Sequence, residues 1–383
     1  MAAVDVLIPV YNAGKTVRQT LDSVRSQTMA DFRVIVIDDG STDNSAAVLA
    51  EMAARDSRIE VHRQPNSGIV DALNVGLRRC TAEFIARLDG DDLCFPNRLE
   101  VQLDYLRGHP GVVAVGAAAR HIDADGVPLS TVARMGDPEL ANPYYVPSSE
   151  PYIIHPFLMV RRAAIEAVGG YRYVYHAEDT DLYWRLRNRG RLVNLQEILG
   201  DYRMHAESIS GTSILNGRVS ALSSQLASLS EQRRQRGATD LVFRKESLAA
   251  YKHAGTLAAM VELAADGMED SERRYLTQAT VGKLLELAAY RPFELDTLDC
   301  EYVGEVARRG FGNLTAENAG VLNRRICGSA ARIATSGRTR DALKMIPARL
   351  MPSFAPRYVS RAMLPASLSR RLRRKGTRES PYT

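Results

Sequence analysis

Along the first third of the chain, short unbroken apolar runs alternate with stretches whose apolar residues recur every third or fourth position. The run "VDVLIPV" (Val4–Val10) predicts a strand, and "KTVRQTLDSVRSQTM" behind it puts Val17, Leu21 and Val24 on one helical face. The alternation continues through "FRVIVI", a helix in "NSAAVLAEMAARD", the strand "IEVHR", a helix in "GIVDALNVGLRRC" and the strand "EFIARL". Pro96 then opens a helix carrying Leu99, Leu103 and Leu106, ahead of "GVVAVGAAA". This spacing predicts an α/β fold with a mostly parallel, doubly wound sheet, whose ligands sit beyond the carboxyl ends of the strands. Past about Ile209 the strand signal fades, and helical patterns run to about Ser336. Among them Leu215, Val219, Leu222, Leu226 and Leu229 keep a 4-3-4-3 spacing. That spacing suits a helix packed within the chain or a short coiled-coil seam between two copies. The stretch from Ile346 to Thr383 is broken by prolines and predicts a disordered end.

Composition adds a compartment and an asymmetry of charge. With 45% hydrophobic and 25% charged residues, the 383-residue chain reads as an ordinary globular protein. No apolar run is long enough to span a bilayer, and the chain enters its first strand without a signal peptide. Cys80, Cys94, Cys300 and Cys327 form no C-x-x-C pair, which argues against a zinc knuckle or a disulfide framework. A cytoplasmic location is the expectation. The net charge of +5 conceals twelve Lys/Arg against two acids in 337–383, so the other 336 residues carry −5. The basic end, with Arg370, Arg371, Arg373, Arg374 and Lys375, has two readings. It is either a solvated terminus or a peripheral contact with an anionic membrane leaflet, worth about 1 kcal/mol per basic residue near the surface. An acidic body without an aromatic–basic platform argues against nucleic acid as a partner.

Two kinds of motif carry chemistry. In "IPVYNAGKT", Gly14, Lys15 and Thr16 match the end of a phosphate-binding P-loop, but Pro9 stands where its first glycine belongs. Proline has no N–H and a fixed φ, so the phosphate cradle loses a donor and its first turn. Acids, by contrast, gather at strand ends: Asp38 and Asp39 in "IDDGSTD", and Asp89, Asp91 and Asp92 in "RLDGDD". In extended chain, residues i and i+2 share a face, so Asp89 and Asp91 address one ligand, and their oxygens suit Mg²⁺ or Mn²⁺. A third cluster, "HAEDTDLYWRLRNRG", puts Asp179 at the start of a helix. There the helix dipole favours an ionised carboxylate, the state a proton acceptor requires.

Seven segments, "VLIPVYN", "VIVIDDGSTD", "NSGIVDALNVGL", "FIARLDGDD", "HPFLMVRRAAIEAVGGYR", "AEDTDLYWRL" and "YRMHAESIS", lie in the order expected of family 2 glycosyltransferases, which the chain resembles over roughly Val4–Gly211. The resemblance implies a GT-A (Rossmann-like) domain over 1–211, a helical C-terminal region over 212–336, and a basic tail over 337–383. It also implies non-processive, inverting transfer from a nucleotide-diphosphate sugar, a UDP-sugar foremost, to the hydroxyl of a glycan or lipid-linked saccharide in surface polysaccharide biosynthesis. On this reading Pro9, Tyr11 and Asn12 form the base-binding edge, and Asp39 accepts from the uracil N–H. Asn66 completes the donor site, Asp89 lies near the ribose or the metal, Asp91 ligates Mn²⁺ or Mg²⁺, and Asp179 is the general base. His205 either completes the metal site or is structural. Arg203 pairs with donor phosphate or with a neighbouring acid. Glu178 orients Asp179 or caps its helix. Processive synthases of the family carry Q-x-x-R-W beside membrane helices, whereas the sole tryptophan here is Trp184 in "DLYWRL". A sugar nucleotidyltransferase would need a glycine-rich, arginine-containing first loop, and NAD-dependent chemistry a G-x-G-x-x-G there. A catalytically inactive nucleotide-sugar binder remains as the non-enzymatic alternative.

Overall fold

The computed structural model describes residues 2–204 and 213–363. The first half runs β1 (Val4–Val10), α1 (Val17–Arg25), β2 (Phe32–Asp38), α2 (Ser45–Arg55), β3 (Ile59–Arg63), α3 (Ile69–Leu77), β4 (Phe84–Arg87), β5 (Leu93–Cys94) and α4 (Arg98–Gly108). It continues with β6 (Val112–Ile122), β7 (Pro128–Ala133), β8 (Met159–Arg161), α5 (Arg162–Ala167), α6 (Glu178–Arg187) and β9 (Arg191–Arg203). Both faces of the central strands are covered. Val6 and Ile8 pack with Leu21 of α1 and Leu49 of α2, while Leu7, Ile35 and Ile37 pack with Leu73 of α3 and Leu186 of α6. A strand buried on both faces gains from apolar residues at every position, which is why these runs do not alternate.

The strand order is β3-β2-β1-β4-β8-β6-β9-β5, with β7 attached to β6. The β3-β2-β1-β4 half is parallel throughout. Beyond it the sheet is mixed: β8 lies antiparallel to both β4 and β6, β9 is parallel to β6, and β5 is antiparallel to β9. Parallel neighbours need a crossover helix. Here β8 arrives instead through the long 134–158 connection and inserts between two strands already in place. It contributes three residues and β5 only two, too few to leave a periodic signal. Chain order reverses between β1 and β4, so the ends of β1, β2 and β4 open onto the crevice where such sheets bind ligands.

The second half is helical: α7 (Ile214–Gln235), α8 (Ser247–Ala254), α9 (Leu257–Ala264), α10 (Asp270–Tyr290), α11 (Thr297–Arg309), α12 (Ala316–Thr335), α13 (Thr339–Met345) and α14 (Met351–Ala362). Leu222 and Leu226 of α7 share one core with Leu284, Val303 and Ile326 of the helices around them. Val219 and Leu229 are fully buried too. The 4-3-4-3 row is therefore consumed inside the chain, the first of its two readings. A correction concerns the tail expected from 337. Ala342, Met345, Leu350 and Phe354 are buried in the helical core, so the chain is folded through α14. Pro352 lies in the first turn of α14, where its missing N–H would have had no intrahelical partner. The arginines and lysine from Arg370 to Lys375, and His205, lie outside the described residues. No helix among the described residues is long and apolar enough to cross a membrane.

Candidate active site

The loop after β1 does not offer its amides to a phosphate. The N–H groups of Asn12, Ala13 and Gly14 donate to Ser41 Oγ (3.0 Å), Ser45 Oγ (2.9 Å) and Asp43 Oδ2 (2.9 Å). Asn12, held at φ 52°, also accepts from the Thr42 N–H through Oδ1 at 2.8 Å. The first loop is thus stitched to the second, and a side chain at Gly14 would put its Cβ 1.8 Å from Asn44 Oδ1. Lys15 is exposed. Pro9 is buried in β1, and Tyr11 stands beyond it, 52% exposed, at the mouth of the crevice.

Asp39 follows the last residue of β2 and is almost wholly buried. Its Oδ1 accepts from Ser67 N–H (2.9 Å) and Gln64 Nε2 (2.7 Å), and its Oδ2 from Gly68 N–H (2.9 Å). Three of roughly four acceptor positions are filled, which leaves one for a ligand. Gly40 makes this approach possible: its φ is +75°, and a Cβ there would sit 2.6 Å from the Asn66 nitrogen. Asn66 itself is exposed on the loop so anchored.

At the end of β4, Asp89, Asp91 and Asp92 bring carboxylate oxygens within 4.8 Å of one another. Asp92 is buried; Oδ1 accepts from the Arg203 N–H at 2.7 Å, and Oδ2 has no partner. Burial first, then the charges of Asp91 and Asp89, push its carboxyl well above the ordinary range. An all-oxygen set with an orphaned carboxylate oxygen matches the needs of a hard divalent cation. Arg203 departs from its expected role. Its guanidinium donates to the carbonyls of Asp91 (2.8 Å) and Ala124 (3.0 Å) and to Gln19 Oε1 (3.0 Å), leaving it 4% exposed. It clamps β9 to the acidic loop rather than facing a phosphate or a carboxylate.

Asp179 sits in the first turn of α6 and accepts from the Thr180 N–H at 2.7 Å. That bond lowers the carboxyl, as the helix dipole argument expects, but burial outweighs it. Burial, with Glu150 adding repulsion, pushes Asp179 up to about 6. A carboxyl with that value remains about nine-tenths ionised at pH 7. Its neighbour Glu178 is pushed up to about 7 by burial and then by Asp179, and its Oε2 has no partner. Glu178 therefore makes no side-chain cap of α6.

Two residues escaped sequence reasoning. Arg87, the last residue of β4, pairs with Asp89, lowers Glu178 and Asp179 electrostatically, and keeps Nε and Nη1 buried without a partner. A charge inside the apolar strand "FIARL" was the signal available for it. Glu150 had no local signal. It is buried against Lys283 Nζ of α10 (3.1 Å) and Gln225 Nε2 of α7 (3.2 Å), residues far off in sequence.

A comparison with known proteins bears on this arrangement. The sequence profile of "Glycosyl transferase family 2" matches residues 5–169. AmsE of Erwinia amylovora, an amylovoran biosynthesis glycosyltransferase, is 32% identical over 214 residues, 53% of this chain and 77% of that protein. EpsE of Bacillus subtilis strain 168 is 33% identical over 211 residues, 54% of this chain and 73% of its own. Among solved structures, a mannosyltransferase from Pyrobaculum calidifontis in complex with GDP-Man and Mn²⁺ superposes with a TM-score of 0.50 at 16% identity. That likeness covers 93% of this chain and 87% of the other, and it shows the fold.

Proposed function

This chain belongs to glycosyl transferase family 2, and on that premise we propose that it is an inverting, non-processive enzyme using a UDP-sugar donor. The observation that carries the reading is the pairing of two acid groups across Arg87. On one side stands a cation-ready cluster at Asp89, Asp91 and Asp92; on the other, the Asp179 carboxyl beside Glu178, tuned to near-neutral pH. Separated in this way, one group serves the leaving diphosphate and the other the incoming hydroxyl.

Tyr11 stacks on the base at the edge formed with Pro9 and Asn12, and the free acceptor position of Asp39 takes the ring N–H of uracil. Asn66 and Asp89 complete the donor contacts, and Arg87, whose Nε and Nη1 have no partner, supplies positive charge for the diphosphate. Asp91, with Asp89 and Asp92 beside it, would hold Mg²⁺ or Mn²⁺, and such an ion would supply Lewis-acid stabilisation of a departing diphosphate. Asp179 takes the proton of the acceptor hydroxyl as its oxygen bonds to the anomeric carbon and the carbon–phosphate oxygen bond breaks. A single displacement from the face opposite the leaving group inverts the anomeric centre. The relation to AmsE, an amylovoran biosynthesis glycosyltransferase, supports a role in polysaccharide biosynthesis. On this reading the acceptor is a growing glycan or lipid-linked saccharide met at the inner face of a membrane.

The test is a thermal-stabilisation screen of nucleotide sugars with and without Mn²⁺, followed by transfer of the labelled sugar and NMR of the product's anomeric centre. A UDP-sugar should stabilise the protein only with the cation and yield the inverted product. Retention at the anomeric carbon, or stabilisation equal without metal, would overturn the scheme.

A further inference from the structure

Helix α14 carries an apolar stripe that nothing among the described residues covers. At 100° per residue, Met351, Pro352, Ala355, Pro356, Val359, Ala362 and Met363 fall within about 140° of arc. All seven are exposed, Met351 by 41%, Val359 by 46% and Met363 by 79%. The helix is held by another face. Phe354 is buried in the helical core, and Tyr358 stacks on it with ring centroids 5.9 Å apart. The docking face and the apolar stripe are therefore different surfaces of one element, and the stripe contributes nothing to the core. Ser353, Ser360 and Arg357 border it on the solvent side.

Charge identifies the occupant. Between Asp341 and Glu379 the sequence has ten Lys/Arg and no acid, while the rest of the protein is acidic on balance. A surface that offers exposed methionine and valine beside concentrated positive charge matches the interface of an anionic bilayer. There the apolar face enters the headgroup–acyl boundary and the basic groups meet lipid phosphates. A protein partner would need a complementary acidic groove; a second copy would have to bring two strongly basic segments together, at a cost in repulsion. We propose that α14 is an interfacial membrane anchor: its Met351–Val359–Met363 stripe inserts into anionic lipid, and the basic sequence around it supplies the electrostatic attraction. This extends the membrane-facing acceptor reading above, although its test needs no turnover.

The experiment is co-sedimentation of the full chain with vesicles of phosphatidylcholine alone or mixed with phosphatidylglycerol. The protein should pellet with the anionic vesicles and stay in solution with the neutral ones, and binding should fall as salt is raised. Val359→Asp with Met363→Asp should lower the partition coefficient at least about tenfold, because both side chains lie in the inserting face. Val359→Ser with Met363→Ser, which adds no charge at exposed positions, should lower it in the same direction. Stabilisation by the nucleotide sugar should match wild type in both variants, so a failure of the donor reading and a failure of the anchor appear in different measurements. Unchanged vesicle binding in both variants would overturn the proposal. So would equal binding to neutral vesicles. So would a wild-type dimer that either variant converts to monomer in sedimentation velocity, since the stripe would then be a self-association surface.

Discussion

Replacing Asp179 by asparagine separates the chemistry of this carboxyl from its cost to the fold. The substitution keeps the shape, and Asn Oδ1 can still accept from the Thr180 N–H, but the group can no longer take a proton. General bases contribute about 10²–10⁴-fold, so kcat should fall by that factor while donor affinity stays within a few-fold of wild type. Stability should move the other way. Burial raises the folded-state carboxyl from 3.8 to about 6. Ionising it therefore costs the folded protein up to about 3 kcal/mol, or about 1–2 kcal/mol once partial exposure is allowed for. The sign follows from the raised pKa: the cost is absent below about pH 4, grows between about 4 and 6, and is complete above about 6. Asp179→Asn should thus melt a few degrees above wild type near pH 7.5, with the difference vanishing near pH 4. Wild-type kcat should fall on the acid side with an apparent pKa near 6. The measurements are initial rates across pH and melting curves of both proteins at each pH. Near-wild-type turnover in the variant would remove Asp179 as the base. A variant less stable than wild type at pH 7.5 would refute the electrostatic argument itself.

Three further outcomes are expected. Glu150→Gln removes the negative charge that raises Asp179, so the acid limb of the pH–rate profile should move to lower pH; a shift upward would show that Glu150 acts on something else. Asp91→Ala should abolish the stabilisation that a UDP-sugar gives with Mn²⁺, read by melting with and without the cation. Arg203→Lys cannot reproduce a fork that reaches three carbonyls and a glutamine, so it should cost about 2–4 kcal/mol in denaturant unfolding. If Arg203 held donor phosphate instead, stability would be kept and donor affinity lost.

The elements of the first half were legible because each repeats a local rule. A strand buried on both faces must be apolar throughout, and a helix lying on it must be apolar every third or fourth residue. The acids at the ends of β2 and β4 were legible for the same reason, since their places follow from where the strands stop. Three features depended on contacts between distant segments. β8 pairs antiparallel between β4 and β6 because of how the 134–158 connection returns, and a three-residue strand leaves no period. The leucine row of α7 reads identically for a seam between copies and for a helix wrapped by its own chain; only the packing of α6, α9 and α10 against it decides. Pro352 and Pro356 made 351–362 look broken, but one proline at the first turn and a buried Phe354 were enough to hold a helix there.

The site divides along the same line. The sequence by itself determined which side chains carry charge and at which strand ends they appear, because a strand's end and its alternation are properties of a few adjacent residues. Tertiary structure decided what those charges do. It spent the amides of the P-loop-like segment on Ser41, Ser45 and Asp43, and it spent Arg203 on backbone carbonyls. It also set Asp179, half-buried, near Glu150 and Arg87, lifting its carboxyl toward neutrality. Desolvation and Coulomb terms depend on what surrounds a group in space, and a residue such as Glu150, held by Lys283 and Gln225 of the helical region, comes near only when the chain is folded.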